Sequence, residues 1–319
     1  MAEVYEFLPV SREDMLDRDW YYYDFLLITG DAYVDHPSFG TAVISRVLES
    51  QGFRVAIASQ PDYHDPESLR SFGRPRYAAL VNAGNIDSMV AHYTVAKRRR
   101  EKDAYTPGGL AGKRPDRAVI VYSNLVKRVW PDLPIVIGGI EASLRRFAHY
   151  DYWDDAVRRP ILADSAADLL IYGMGEHQIV EIAKRLRAGE KIRQIRDVRG
   201  TCYFAKDPAE CLFEAVEEPS FEQVREDRRA YAQAAMIERG EQDFVRGRAI
   251  LQPCQGRYLV QNPPSAPLNT RSWTRRRTCP IPGPITPVMR LWAAWRPSGR
   301  WSFPLSTTEA ASVPVIFAP

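Results

Sequence analysis

The chain has 319 residues, 45% hydrophobic and 26% charged, with a formal net charge of +3. That composition is globular, and no run approaches the roughly 18 apolar residues needed to span a bilayer. The acidic opening Met1-Ala-Glu-Val-Tyr-Glu6 lacks the basic-then-apolar order of a signal peptide, so a cytoplasmic location with no membrane partner is expected. The charge is unevenly placed. Arg271–Pro319 holds seven arginines and one acid, Glu309, which leaves the body with 36 basic against 39 acidic residues. A mildly acidic body argues against a nucleic-acid partner, and the run Lys97–Lys102 reads as a solvated face.

The first element predicted is a buried strand over Asp24–Gly30. A helix over Ser38–Gly52 follows, capped by Ser38, with Val43, Ile44, Val47 and Leu48 on one face and Gly52 closing it. Phe53–Ser59 is the next strand, completing a βαβ unit. Tyr77–Gly84 reads as a strand and Ile86–Ala96 as a helix. Arg117–Tyr122 suits either a strand or the start of a helix through Val129. Pro134–Gly139 is a strand with a helix from Glu141. Asp168–Gly173 is a strand followed by the amphipathic helix Glu176–Ala188, whose face is Ile179, Ile182, Ala183 and Leu186. Residues 198–215 read as an antiparallel addition, Glu217–Gly240 as a charged helical stretch, and Tyr258–Pro264 as a strand running into prolines.

Five or more strands, mostly apolar throughout, predict an α/β fold with a doubly wound, mostly parallel sheet of the Rossmann-like or cobalamin-domain-like kind. The divisions expected are an N-terminal extension over 1–20, an α/β domain over 21–215, a helical and extended connector over 216–270, and a tail over 271–319.

Ligands of such sheets bind beyond the carboxyl ends of the strands. The candidate ligand-facing loops there hold Gly30, Asp31, Asp35, His36, Ser38 and Gly40, then Gly84 and Asn85, then Gly138, Gly139, Glu141 and Ser143, then Gly173, Gly175 and Glu176. Small residues let backbone N–H groups approach a small-molecule ligand, and helix N-termini favour anionic groups. Tight βα turns also call for glycine. His36, beside Asp35, is the best titratable candidate. Neither a Gly-x-Gly-x-x-Gly motif nor a P-loop is present. The four cysteines, 202, 211, 254 and 279, have no zinc-type spacing, so free thiols and no metal site are expected. No catalytic residue is assigned. His149-Tyr-Asp-Tyr-Trp153 is dense in aromatic and polar groups and suits either core packing or docking of another domain.

Three segments are distinctive together: Thr29–Gly40, Gly112-Lys-Arg-Pro-Asp-Arg117, and Gly138–Trp153. Over about residues 5 to 270 the chain resembles the N-terminal region of the YgiQ family of radical SAM proteins. The resemblance implies an accessory or substrate-facing domain ahead of a radical SAM domain. In that C-terminal domain, cysteines in a C-x-x-x-C-x-x-C motif hold a [4Fe–4S] cluster that binds S-adenosylmethionine. The chain departs from the family by lacking the motif, so neither cofactor is expected in the chain itself. The D-x-H-x-x-G motif of cobalamin domains is not met either, since Asp35 is adjacent to His36 and Gly40 lies four residues on. A non-catalytic binding module or an inactive fragment is the other reading.

The tail has a cause to match. Arg271–Pro319 contains no Lys, Asp, Asn, Gln, Tyr or His but has four tryptophans and eight prolines. Codons for Thr308–Pro319, read from their third bases, permit Cys-x-x-x-Cys-x-x-Cys. The expectation is a reading-frame change near codon 270 and a non-native or disordered tail beyond it.

Overall fold

The computed structural model describes residues 7–268, and the expectations for 271–319 lie outside them. Helix α1 (Arg12–Leu16) precedes strand β1 (Phe25–Thr29), an apolar run buried along its whole length. Helix α2 (Gly40–Glu49) leads to β2 (Val55–Ser59), and α3 (Glu67–Arg70) leads to β3 (Ala78–Asn82). Helices α4 (Ser88–His92) and α5 (Ala118–Val129) lead to β4 (Ile135–Ile137). After α6 (Gly139–Leu144) come the hairpin β5 (His149–Asp151) and β6 (Ala156–Arg158), α7 (Ile161–Asp164), β7 (Leu169–Ile171) and α8 (Glu176–Arg187). The chain then adds β8 (Thr201–Ala205), β9 (Ala215–Glu217), α9 (Phe221–Glu226), α10 (Arg228–Gly240), β10 (Ala249–Cys254) and β11 (Arg257–Gln261).

Among the described residues, nine strands form one sheet in the order β2-β1-β3-β4-β7-β8-β11-β10-β9. The first five are parallel, as their apolar sequences predict. β8 is antiparallel to β7, β11 antiparallel to β8, and β10 antiparallel to β11. Side chains alternate across the sheet, so each face builds its own core. Leu26, Ile28, Val81 and Ile137 meet Val119, Tyr122 and Val126 of α5 on one face. Leu27, Leu80 and Val136 meet Ala42 and Leu48 of α2 and Ile179 and Ile182 of α8 on the other. The mostly parallel α/β sheet is therefore as read from the sequence. Residues ahead of β1 belong to these cores too, since Leu8 and Met15 are buried in them. The stretch beyond residue 215 supplies β10 and β11 to the sheet.

Several local expectations are corrected. Ser38 does not cap α2, because the helix starts two residues later with Phe39 at the cap position and no side-chain cap. On α2, Val43 and Leu48 are buried and Ile44 and Val47 half-buried, but Ser45 and Arg46 are buried as well. Arg46 is drawn inward by its ion pair with Asp35. α4 ends at His92 rather than Ala96. Asp116 takes both His92 Nδ1 and the Tyr93 hydroxyl, Tyr93 turns extended, and it bridges back to Arg99. The ambiguous segment at 117–122 is helical, and the stretch 217–240 breaks at Asp227, whose carboxylate accepts the Arg229 N–H and starts α10.

Candidate functional site

The order β2-β1-β3 makes β1/β3 the point where successive connections diverge to opposite sides of the sheet. In a doubly wound sheet this is where the crevice for a ligand opens. A cavity of about 280 Å³ lies there. Its floor is Leu27, Leu80, Val136 and Ile171, and its walls include Thr41 and Ile44 of α2 and Ile179 of α8. Its rim is Asn82, Gly84, Gly138, Gly139, Gly173, Met174 and Gly175, with Glu176 buried at the first turn of α8.

The local chemistry explains the openness. At Gly175 a Cβ would meet Ile171 at 3.0 Å, and Gly139, at φ +80, lies in the left-handed region. A side chain at either position would crowd the space or strain the turn. Asn82 organises the β3 end. Its Oδ1 accepts from the Thr29 hydroxyl at 2.9 Å and from the Gly84 N–H at 2.8 Å. Helices α2 and α8 both start at the cavity without a side-chain cap from the residue that precedes them, although the Gly40 N–H of α2 donates to Asn85 Oδ1 at 3.4 Å. The arrangement suits an organic ligand with an apolar body and a hydrogen-bond-accepting group.

Of the expected site residues, Gly40, Gly84, Gly138, Gly139, Gly173, Gly175 and Glu176 line this cavity. The others serve the architecture around it. Asp31 is buried behind Gly84, where its carboxylate pairs with Arg114 at 2.8 Å and accepts the Asn85 N–H at 2.7 Å. Burial pushes the Asp31 carboxyl up to about 6, against the opposing pull of Arg114. Arg114 also holds Asp103 at 2.8 Å and the Ala83 carbonyl at 3.0 Å, so one guanidinium ties three loops together. Asp35 faces away from the cavity toward Arg46. His36 is half-buried, with Nδ1 accepting the Ser38 N–H at 3.1 Å, and neither residue lines the cavity. At Gly30 a Cβ would overlap the Ala83 carbonyl oxygen, and Asn85 bridges Gly40 and Ser38.

Glu141, expected to face a ligand, points inward. It accepts the Ser88 N–H and the Val119 N–H, both at 2.9 Å, and so closes the starts of α4 and α5. Burial first, then Asp87, raises its pKa. Ser143 is half-buried on α6, outside the cavity. Sequence reasoning missed Thr41, Met174 and the apolar floor. Thr41 carried a signal, being the first polar side chain of a helix that starts at the carboxyl edge.

A family model described as Radical SAM N-terminal matches residues 7–279. The chain belongs to that family. The chain is also similar to curated relatives named UPF0313 protein. One from Clostridium botulinum (strain Kyoto / Type A2) is 56% identical over 264 residues, covering 83% of this chain and 41% of the relative. One from Clostridium perfringens (strain SM101 / Type A) is 52% identical over 283 residues, covering 89% and 43%. The chain thus spans about two fifths of the length of these relatives. Among solved structures, the radical S-adenosylmethionine methyltransferase TsrM from Kitasatospora setae, with cobalamin and a [4Fe-4S] cluster bound, aligns at a TM-score of 0.35 and 18% identity. It covers 57% of this chain and 27% of that one, and at that distance the fold rests on the strand order described above.

The described residues of this Radical SAM N-terminal domain do not fit an iron–sulfur cluster. No group of three His, Cys, Asp or Glu side chains among them could hold a metal. Burial pushes the Cys202 thiol up to about 12 and Cys254 to about 11, the reverse of what a thiolate ligand needs. Nor does any helix among them have the length and apolarity to cross a membrane.

Proposed function

We propose that the chain is the N-terminal accessory domain of a radical SAM protein of the YgiQ type, and that its switch-point cavity binds a small organic ligand. Cluster chemistry, the reductive cleavage of S-adenosylmethionine, belongs in this reading to the remainder of the longer polypeptide. The observation that carries the ligand assignment is the apolar cavity at β1/β3 with a rim built largely of glycine. At about 280 Å³ it suits a small ligand or one arm of a larger one. His36 lies outside the lining, which argues against a corrin held through that side chain.

Titration calorimetry of the purified chain against S-adenosylmethionine, 5′-deoxyadenosine and hydroxocobalamin tests this. At least one is expected to bind with a dissociation constant below about 1 mM, the weak end of specific recognition. Gly175→Leu, which fills the cavity against Ile171, should weaken that binding at least about tenfold. No binding by any of the three removes the ligand reading. The out-of-frame origin of 271–319 is part of the same proposal, and the coding DNA tests it. A shifted frame without three cysteine codons at the required spacing overturns it.

A further inference from the structure

A second cleft, of about 460 Å³, lies between α4, the end of α6 and the β5–β6 hairpin. Its apolar side chains stand unusually far into solvent. Val95 is 83% exposed, Leu144 58%, Val90 53% and Tyr152 46%. Single exposed apolar residues are ordinary, but a contiguous group marks an interaction surface. The aromatic side chains of the cleft are also held in place. The Tyr93 and Tyr152 rings each lie 5.2 Å from the Trp153 ring. The Tyr152 hydroxyl donates to the Val95 carbonyl at 2.7 Å, and the Lys97 ammonium sits 4.9 Å from the Tyr152 ring centre. A surface fixed before its partner arrives loses little entropy on binding.

Three observations select the occupant. Relatives of this chain are more than twice its matched length, so most of their polypeptide lies beyond the region described here. β11, the last described strand, ends against the segment that walls the cleft. Arg146 Nε donates to Gln261 Oε1 at 2.5 Å at the end of β11, and Arg145 and His149, on either side of Arg146, line the cleft. The exposed charge of one lip is basic as well. Lys97, Arg98, Arg99, Arg100 and Lys102 are exposed along one lip with a single acid, Glu101, among them. The cleft's own acids are already held, Asp87 by Arg145 and Asp151 by Arg117.

We infer that this cleft seats the C-terminal remainder of the longer family polypeptides, which presents to it an apolar segment flanked by acidic side chains. The inference rests on the reading of this chain as the N-terminal domain of a longer protein. A nucleic acid is the less fitting occupant, because Val90, Val95 and Leu144 offer a backbone phosphate nothing.

Amide hydrogen exchange compares the 319-residue chain with the full-length Clostridium botulinum relative at aligned positions. Protection factors across residues 93–100 and 149–154 are expected to be at least about tenfold higher in the longer protein, with residues 207–212 unchanged. Equal protection in the two proteins overturns the inference. So does protection that grows with protein concentration, which marks a second copy, or that appears only when single-stranded RNA is added. Calorimetry at the switch-point cavity reads the other proposal independently, so protection here without ligand binding there leaves this inference standing alone.

Discussion

Asp31 and Asp35 sit four residues apart in the sequence and read alike there, as polar groups in a loop at the sheet edge. Their partners separate them. Arg46 lies on the next helix and takes Asp35, and Arg114 comes from far along the chain to hold Asp31 behind the cavity rim. Residue type and edge position were legible, but the direction of each carboxylate depends on contacts 11 and 83 residues away, which no local pattern carries. Gly84 is the companion case. A Cβ there would overlap the Asp31 carboxylate, and φ is +109. Gly84→Ala is therefore expected to destabilise the chain by about 2–3 kcal/mol in urea unfolding, and an unchanged midpoint would show that the loop can yield. Glu218 behaves differently. It is 2% exposed, neither carboxylate oxygen has a hydrogen-bond partner among the described residues, and burial pushes its pKa up to about 9, with Glu238 adding to the rise. Its unfolded form ionises near the ordinary carboxylate value, so the folded state loses stability as pH climbs from about 4.5 toward 9. Glu218→Gln should leave stability at pH 4 nearly unchanged and raise it by about 1–3 kcal/mol at pH 8. Equal midpoints at both pH values would mean that Glu218 is solvated.

Among the elements, the parallel strands and α8 were legible because each carries its own period or an unbroken apolar run. All four predicted face residues of α8 are buried. α4 was overextended because its stop is a tertiary one, the capture of His92 and Tyr93 by Asp116, some two dozen residues away. β10 and the β5–β6 hairpin were missed. β10 includes Gln252 and Pro253, and the hairpin strands are three residues each and only partly buried, so neither shows the alternation of a half-buried strand. The glycine rim was legible as composition. The inward turn of Glu141 was not, because a carboxylate that closes two helix starts and one that faces a ligand look the same in a Gly-Gly-x-Glu turn. The two roles give different results on substitution. Glu141→Ala should cost about 2–3 kcal/mol of stability by stranding the Ser88 and Val119 N–H groups, while the affinity of whatever fills the cavity changes little in the folded fraction. A stable variant with lost affinity would reverse the assignment.

At the scale of the whole molecule, the sheet does not stop where composition suggested a connector. β11 from that stretch pairs with β8, and β10 pairs with β9. A chain cut after residue 215 leaves β8 with an open edge and exposes the apolar row that β11 covers. Such a fragment is expected to lose its cooperative urea transition and to elute as aggregate in size-exclusion chromatography, whereas a chain cut after residue 268 should unfold cooperatively and elute without aggregate. A cooperative 215-residue fragment would show that the parallel half stands alone.

The antiparallel addition has one more consequence, and it is a matter of parity. Between β7 and β11 the strand direction reverses twice, once into β8 and once out of it. An even number of reversals restores the original heading, so β11 points the same way as the five parallel strands and delivers Asn262 beside Tyr172, at the edge where the cavity opens. One strand fewer would have aimed the outgoing chain at the opposite rim, with the sheet standing between it and the glycine loops. The number of reversals, not any single residue, decides which side of the molecule the polypeptide faces beyond β11.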